Sequence, residues 1–310
     1  MKGARDADGP GDMNRATAEG RRGLWLGLAL GFVGVVIFGG TLPFTRLAVA
    51  GLDPWFVTAG RAALAGLLAL AVLAATRRRL PPPGVLGRIA LASLALVGAF
   101  PATMAIAMTS VEASHGGVVL GILPLATAIA GALFGRERLA PGFWASAVLG
   151  AAIVVGFALR DGVSGLAPGD AYLVLAVASA AFGYAVSGVL ARAMPGWEVI
   201  SWALVVALPV TIPAALALAP ADLAAVPAAS WLGFAYATLM SQYLGFFAWN
   251  AGLALGGVAR VGQVQLLQIF VTLAIAAVLN DERVDATTWA AAAAVVAVVV
   301  AAARARGGGR

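Results

Sequence analysis

The sequence contains no cysteine, one histidine and one lysine among its 310 residues. Without cysteine there can be no disulfide, no thiolate nucleophile and no thiolate metal ligand. A lone histidine also cannot supply the several imidazole ligands that many zinc sites use. We therefore expect no catalytic residues, no metal site and no bound cofactor.

Acidic residues are missing from the middle of every apolar segment, because all 14 Asp and Glu residues lie in tails, loops or helix ends. Carboxylates inside a membrane usually mark proton relays or cation sites. Their absence argues against carboxylate-based proton coupling and against a cavity tuned for strongly cationic substrates.

Apolar residues are what the sequence has in abundance: 62% of the chain is hydrophobic, 11% is charged and the mean hydropathy is +0.95. A soluble domain is nearer half apolar and a quarter charged, so we expect the lipid bilayer to surround this chain. A span needs about 20 residues to cross the hydrocarbon. We predict an all-α integral membrane protein with ten transmembrane helices at residues 24–45, 55–75, 88–109, 114–134, 141–159, 170–191, 199–219, 231–254, 258–279 and 286–303.

A stretch of about thirty residues occurs twice, first at 114–144 and again at 259–289. A shift of 145 positions aligns Gly117 with Gly262, Glu137 with Glu282, Arg138 with Arg283 and Trp144 with Trp289. Two related halves in a membrane protein are typical of transporters whose site lies at their interface.

The repeat divides the chain into three parts. Residues 1–23 form a polar, Gly-rich tail that we expect to be disordered, and five-helix repeats follow at 24–159 and 169–304. Since five spans is an odd number, the second half must cross the membrane in the opposite sense. We therefore predict an inverted-topology repeat.

The net charge of +6 comes almost wholly from arginines in tails and loops, with no basic stripe interleaved with aromatic residues. This pattern does not favour a nucleic-acid partner. With the N-terminus inside, 16 Lys and Arg residues lie on the inner side and 3 on the outer side, and Arg61 lies within a span. This charge bias predicts that both termini lie in the cytoplasm. The dominance of Ala, Gly, Val and Arg over Lys, Ile and Asn indicates a bacterial genome, so we expect the bacterial inner membrane.

Several stretches together resemble the drug/metabolite transporter superfamily, and within it the EamA-like bacterial transporters of ten spans. They are GFVGVVIFGGTLPFTRLAV, DPWFVTAGRAALAGLLAL, HGGVVLGILPLATAIAGALFGRERLAPGFWASAVLGAAIVVG, GDAYLVLAVASAAFGYAVSGVLAR and the 258–303 region. No single motif is specific, but their order and spacing cover nearly everything from 24 to 304. The second half departs from the family pattern, with Ile269 where proline is frequent, Asn280-Asp281 in place of glycine, and Ala207 or a neighbour in place of Arg61.

The resemblance implies a helix bundle around a central cavity that opens alternately to each side. It implies that the first four helices of each half line this cavity, while the fifth is peripheral and often forms a homodimer contact. The implied function is a secondary transporter, not driven by ATP, that exports a small metabolite such as an amino acid or a nucleobase. A lipid or sugar-nucleotide carrier is the alternative within transport.

Arg61 is the only charged residue well inside an apolar span, about six residues from its outer end. A rise of about 1.5 Å per residue places it roughly 9 Å deep. It can face a cavity, where it would bind a carboxylate or phosphate or pair with a gating residue. Its long side chain can equally snorkel to the outer interface, and the sequence leaves both interpretations open.

Three ionisable residues near the membrane surfaces have a structural interpretation as well as a functional one. Glu137 and Glu282 each stand beside an arginine at the tip of a hairpin, and we favour a structural role, capping the following helix or pairing across the interface. His115 opens the fourth span beside Glu112. A lone histidine is more often structural, so a proton-carrying role for it is the secondary hypothesis.

The eighth and ninth spans carry the richest set of polar side chains. A spacing of seven places Gln242 with Trp249, and Tyr243 with Asn250, on shared helix faces. A second stripe starts at Gln265 and continues at i+3 and i+7. Helix–helix hydrogen bonding could explain such residues, but abundant Gly and Ala already allow tight packing, which favours a cavity. We predict as substrate-binding residues Arg61, Tyr184, Gln242, Trp249, Asn250, Gln265, Gln268 and Thr272.

An intramembrane enzyme is the competing function from another class. It would need a nucleophile with a base, or paired carboxylates and histidines that hold a metal. One histidine and no acid within a span supply neither, so the sequence favours a transporter with a small-molecule substrate.

Overall fold

The computed structural model describes residues 10–135, 141–160, 167–191, 193–256 and 262–307. In these ranges every regular element is helical and there is no strand. The helices are α1 (Pro10–Gly39), α2 (Thr41–Val49), α3 (Pro54–Ala75), α4 (Pro83–Ser93), α5 (Phe100–Ala107), α6 (Ala113–Leu120), α7 (Leu123–Gly135), α8 (Pro141–Ala158), α9 (Pro168–Leu190), α10 (Gly196–Ala217), α11 (Ala228–Ala235), α12 (Gly245–Gly256), α13 (Gln268–Leu279) and α14 (Ala286–Gly307). Two π-helices, Leu94–Ala99 and Tyr236–Leu244, join α4 to α5 and α11 to α12, and a 3₁₀ helix, Gly262–Leu267, precedes α13.

Seven helical segments of the described chain are long and apolar enough to cross a membrane. They are Gly23–Val49, Pro54–Ala75, Pro83–Ala107, Ala113–Leu133, Pro141–Ala158, Pro168–Leu190 and Gly196–Ala217. Two shorter apolar helices follow at Val264–Leu279 and Ala286–Ala302. The all-helical membrane architecture is therefore confirmed, while the count of ten spans stays a prediction.

Within the segment 1–23, which we expect to be a disordered tail, α1 begins at Pro10, and the disordered tail itself stays a prediction. Proline suits the first position of a helix, where its missing N–H costs no hydrogen bond. The Met, Arg, Ala and Glu residues that follow in the sequence also have good helix propensity.

The first span is broken between α1 and α2, and residues of the second half bridge the break. Pro43 has no N–H, so the carbonyl of Gly39, four residues earlier, loses its helical donor. The hydroxyl of Thr272 donates to this carbonyl at 2.9 Å. The hydroxyl of Tyr236 donates to Ile37 O at 2.9 Å in the same turn. A backbone carbonyl that loses its helical donor inside a membrane protein must find another one. Here Tyr236 and Thr272 of the second half supply the donors, so these hydrogen bonds join the two halves.

Contacts between the halves follow a pattern that is unchanged when the halves are exchanged. The helix α1 packs on α12, and its repeat equivalent α9 packs on α5. The pairs α3 with α10 and α8 with α14 each join equivalent elements of the two halves, and α1 contacts α13 as α9 contacts α7. The 145-residue repeat therefore corresponds to a symmetric packing of helices, with the α8–α14 pair joining the fifth segments.

Glycine allows the close approach of α1 and α12. A Cβ atom built on Gly252 would lie 2.6 Å from the backbone nitrogen of Gly31 and 2.8 Å from the carbonyl oxygen of Gly27. Both obstacles are backbone atoms, which cannot rotate away. Small residues spaced four apart are a common means of bringing membrane helices together.

We expect Gly252→Ala to lower the melting temperature of the purified protein, because α1 and α12 must separate at a cost of about 1–3 kcal/mol. Gly156→Ala in α8 is the matched control, since no atom lies within 4 Å of the added Cβ. There the better helix propensity of alanine should leave stability unchanged or raised. A lower melting temperature in both variants would show that the effect is not caused by the α1–α12 contact.

Candidate functional site

The two π-helices occupy equivalent positions in the repeat, since a shift of 145 residues moves 94–99 onto 239–244. Their contents differ. The first, LALVGA, is entirely apolar, whereas the second carries the buried polar residues Thr238, Ser241 and Gln242. Segments of π-helix within longer helices occur frequently at functional sites. The pair thus marks the same level in each half, and of the two π-helices only the second carries buried polar side chains.

Three buried side chains from both halves meet at this level, and we call them the central polar cluster: Thr41 of α2, Arg61 of α3 and Ser241 of the second π-helix. Thr41 Oγ1 lies 2.8 Å from Ser241 Oγ. Arg61 Nη2 donates to Ser241 Oγ at 3.4 Å. The cluster joins the first two spans of one half to the other half in the interior of the bundle.

Arg61 is 2% exposed, and its Nε and Nη1 atoms have no hydrogen-bond partner among the residues that the structure describes. No carboxylate of the described residues forms an ion pair with it. Snorkelling would require an exposed head group, which this guanidinium lacks. The cluster therefore presents a positive charge and two hydroxyl groups, an arrangement that can receive an anion. The described part of the chain has no group of three or more acidic or histidine residues that could hold a metal.

Of the polar residues predicted in the second π-helix and α12, Gln242 lies closest along the chain to the cluster, directly after Ser241, and it is 4% exposed. Tyr243 and Asn250 share the face toward α10. The hydroxyl of Tyr243 lies 3.0 Å from that of Ser201, and the amide of Asn250 lies against Gly196. These contacts place Asn250 at the N-terminal end of α10, away from the cluster.

Trp249 packs closely on α1. Its N, Cα and Cβ atoms lie 3.1–3.2 Å from the point that a Cβ atom built on Gly34 would occupy. Tyr184 is half-buried in α9. Neither residue has a hydrogen bond to the central polar cluster within the described chain. The structure does not unite these two predicted residues with Arg61.

The predicted stripe on the ninth span is interrupted by a change of helix type. Gln265 lies in the 3₁₀ helix, Gln268 begins α13, and both are half-buried. The hydroxyl of Thr272 is already committed to Gly39 O, and its methyl group lies against Gly117. The 3₁₀ turn has three residues rather than 3.6, so side chains drift from the face that an α-helix would give them.

Glu282 joins the second half to the first. Its Oε1 and Oε2 accept hydrogen bonds from the backbone N–H groups of Ala113 and Ser114, each at 2.8 Å. Arg46 Nε lies 3.4 Å from Oε1, and the same arginine donates to Val111 O. A carboxylate at a helix N-terminus satisfies orphan donors and complements the helix dipole. We call this set of contacts the Glu282 clasp.

The structural interpretation of Glu282 is confirmed in its second form: the residue pairs across the interface and caps α6, not the helix that follows it. Its repeat equivalent, Glu137, lies outside the described residues. Both carboxylate oxygens of Glu282 are thus committed to contacts within the protein.

Three further polar contacts fasten the same end of the bundle, which we call the Glu282 end. His115 Nε2 lies 2.6 Å from Asp170 Oδ1, and Asn280 Nδ2 donates to Pro43 O at 3.2 Å. Arg160 Nη1 donates to Thr288 Oγ1 at 2.9 Å. Each contact joins one half to the other, so the two halves are closed against each other here.

Thr288 also contacts Asp285, which precedes α14. Its hydroxyl and backbone N–H groups donate to Asp285 Oδ1 at 2.6 Å and 2.8 Å. These hydrogen bonds lower the pKa of Asp285 below its ordinary value. The carboxylate therefore stays charged at the Glu282 end under mildly acidic conditions.

The opposite end of the bundle, which we call the Arg78 end, has a different cross-half contact. Arg78 Nη1 lies 3.5 Å from Glu198 Oε2, and its guanidinium lies 5.1 Å from the centroid of the Trp197 ring. Glu198 stands in the first turn of α10, where a negative charge is favourable. Both faces of the bundle thus have charged contacts between the halves, with the central polar cluster between them.

Sequence reasoning missed Thr41 and Ser241. A signal for Ser241 was present, because it directly precedes Gln242 in an apolar segment. Nothing in the hydropathy indicated that a π-helix would bring it to Arg61, 180 residues earlier in the chain.

Comparison with known proteins gives three findings. A family model described as EamA-like transporter family matches residues 25–159 and again 167–303. The chain is 42% identical over 254 residues to YdeK of Bacillus subtilis (strain 168), an uncharacterized transporter, and the match covers 82% of this chain and 88% of that protein. A solved crystal structure with 20% sequence identity has a TM-score of 0.59 and covers 89% of this chain and 98% of its own. This last similarity concerns the fold alone.

Proposed function

We propose that this chain, which belongs to the EamA-like transporter family and is a multi-pass membrane transporter and not an enzyme, exports a small metabolite by alternating access. Its two halves would rock against each other as inverted repeats, opening first the Arg78 end and then the Glu282 end. The substrate would be an amino acid, a nucleobase or a related compound.

The observation that carries this proposal is the central polar cluster. Polar groups inside a membrane protein are costly and generally mark a substrate or ion path. Thr41 and Arg61 come from one half and Ser241 from the other. A substrate bound among them would contact both halves, so its binding could bias their relative position. Gln242 and Gln268 would extend the site with neutral hydrogen-bonding groups.

The proposed sidedness rests on the arginine bias of the sequence, which places both termini in the cytoplasm of an inner-membrane protein. The Arg78 end would then face the cytoplasm and the Glu282 end the outside. Gly84 and Asp222 are exposed near the Arg78 end and the Glu282 end.

Single cysteines at these two positions should test the topology in a chain that has no other cysteine. We expect Gly84→Cys to react with a membrane-impermeant thiol reagent only from the cytoplasmic side of oriented vesicles. Asp222→Cys should react only from the outer side. Reaction of both from one side would contradict the inverted topology.

Transport itself is tested with purified protein in liposomes loaded with radiolabelled amino acids or nucleobases. We expect saturable efflux of at least one compound, faster than from protein-free liposomes and independent of ATP. Absence of flux with the whole set, together with flux of a lipid or a sugar nucleotide, would favour the alternative carrier function.

A further inference from the structure

Arg61 carries a buried positive charge that no carboxylate of the described residues neutralises. Its guanidinium has five N–H donors, and one of its nitrogens, Nη2, has a hydrogen-bond acceptor, Ser241 Oγ, at 3.4 Å. Nε and Nη1 have none. Removing a charge from water without a partner costs several kcal/mol. A protein retains such a group when something else completes its contacts.

A structural role in joining helices does not explain this arrangement. Ser241 already has the hydroxyl of Thr41 at 2.8 Å, so the contact between the halves does not need the guanidinium. An arginine that fastened two helices would aim its planar fork at carbonyls or a carboxylate. In contrast, Glu198 and Glu282, the buried acids of the described chain, pair with Arg78 and Arg46.

We propose that Arg61 binds the carboxylate of the transported substrate, with the hydroxyls of Thr41 and Ser241 as neighbouring donors. This proposal rests on the proposed transport function, because the bound carboxylate is taken to be the compound that the protein carries. The planar guanidinium matches a carboxylate in a bidentate geometry, which lysine cannot reproduce. Binding would neutralise the charge while the substrate is enclosed.

The surrounding charges narrow the substrate class to monoanionic carboxylates, including zwitterionic neutral amino acids. Arg61 is the only buried basic residue of the described chain. One positive charge leaves a phosphate dianion or a dicarboxylate with an excess negative charge in a poorly solvated site. Among the described residues, no carboxylate contacts the central polar cluster. The ammonium group of an amino acid would therefore rely on neutral acceptors such as the amide of Gln242.

Thermal unfolding of the purified full chain tests the proposal with a defined panel. The panel contains neutral L-amino acids, each with its carboxamide, together with acetate, benzoate and inorganic phosphate. We expect at least one carboxylate to raise the melting temperature saturably, and its amide and phosphate to have no such effect. Arg61→Lys should retain part of the shift and Arg61→Leu should lose it.

The melting temperature of Arg61→Leu without added ligand distinguishes a binding role of Arg61 from a structural role. Because the charge of Arg61 has no carboxylate partner among the described residues, and its single hydrogen bond is long, Arg61→Leu should melt no lower than the wild type. Arg88→Leu removes an exposed arginine of α4 and should keep the full ligand-induced shift. Equal shifts with a carboxylate and its amide, no shift with any carboxylate, or a shift that survives Arg61→Leu would overturn the proposal. A less stable Arg61→Leu with no ligand effect in the wild type would also overturn it.

Flux in liposomes distinguishes this failure from failure of the proposed function. Equal transport of an amino acid and its amide by wild type and Arg61→Leu would uphold transport and reject carboxylate recognition. Binding of a carboxylate that depends on Arg61, without flux of any panel compound, would uphold recognition and reject transport of that class.

Discussion

Glu282→Ala is expected to lower stability by about 2–4 kcal/mol and to abolish transport. The change removes two hydrogen bonds between a charged group and buried N–H donors, and it leaves those donors without acceptors. It also deprives Arg46 of its carboxylate, although this arginine is partly exposed and solvent offsets part of that loss. The melting temperature and the flux rate of the purified variant measure the two effects.

Glu112 provides a matched control for this prediction. It lies at the N-cap of the same helix, α6, but its side chain is exposed and makes no capping hydrogen bond. Glu112→Gln should therefore leave stability and flux unchanged. Glu282→Gln should resemble Glu282→Ala, because one amide oxygen replaces two acceptors and the NH₂ group would face a backbone donor. A stable and active Glu282→Gln would contradict the assigned role of the clasp.

The alternating access that we propose has a conformational consequence, because the clasp would have to open whenever the Glu282 end opened. Thr45 in α2 is fully buried in this closed arrangement. A cysteine at this position should react with an impermeant thiol reagent faster in the Glu282→Gln background than beside the intact clasp. Equal reaction rates would indicate that the clasp contributes stability alone.

The helical membrane architecture could be predicted from the sequence because apolar runs of about 20 residues have few alternatives in a bilayer. The repeat also identified Glu282 as a structural residue, since its sequence position is at a hairpin tip beside an arginine. Its partners could not be predicted. They lie 168 and 169 residues away, and hydropathy does not report which helix ends meet.

The central polar cluster shows a second limit of sequence reasoning. Arg61 was identified because a charge inside an apolar span is conspicuous. Ser241 reaches it from a π-helix, which differs from an α-helix by its i→i+5 hydrogen bonds and leaves the apolar composition unchanged. The α-helical periodicity assumed across 236–244 therefore could not place these side chains.

Thr272 illustrates how a polar stripe can combine two roles that spacing alone does not separate. Pro43 leaves Gly39 O without its helical N–H, and Thr272 supplies the missing donor at 2.9 Å. Gln268 lies one turn earlier on α13 and is half-buried. The two residues were assigned the same substrate-binding role from the sequence, and the structure gives one of them a different partner.

Thr272→Val should lower the free energy of unfolding by about 1–3 kcal/mol, because the carbonyl of Gly39 would be left unpaired inside the protein. Valine keeps the shape of threonine, so the packing against Gly117 is retained, and the apparent transport constant should stay unchanged. Thr272→Ser keeps the hydroxyl and should recover most of the stability. A Thr272→Val protein with normal stability and weaker substrate affinity would show that the hydroxyl binds substrate after all.

Gln268→Ala should show the opposite pattern, with an apparent transport constant raised roughly tenfold and little change in melting temperature, since a tenfold change corresponds to about 1.4 kcal/mol of binding. Its side-chain amide can donate to a substrate carboxylate and can accept from a substrate ammonium group. Flux measured over a range of substrate concentrations gives the constant, and thermal unfolding of the same preparation gives the stability. If Gln268→Ala instead loses stability and keeps its affinity, both residues of the stripe join helices, and the substrate path then lies around Arg61 and Gln242.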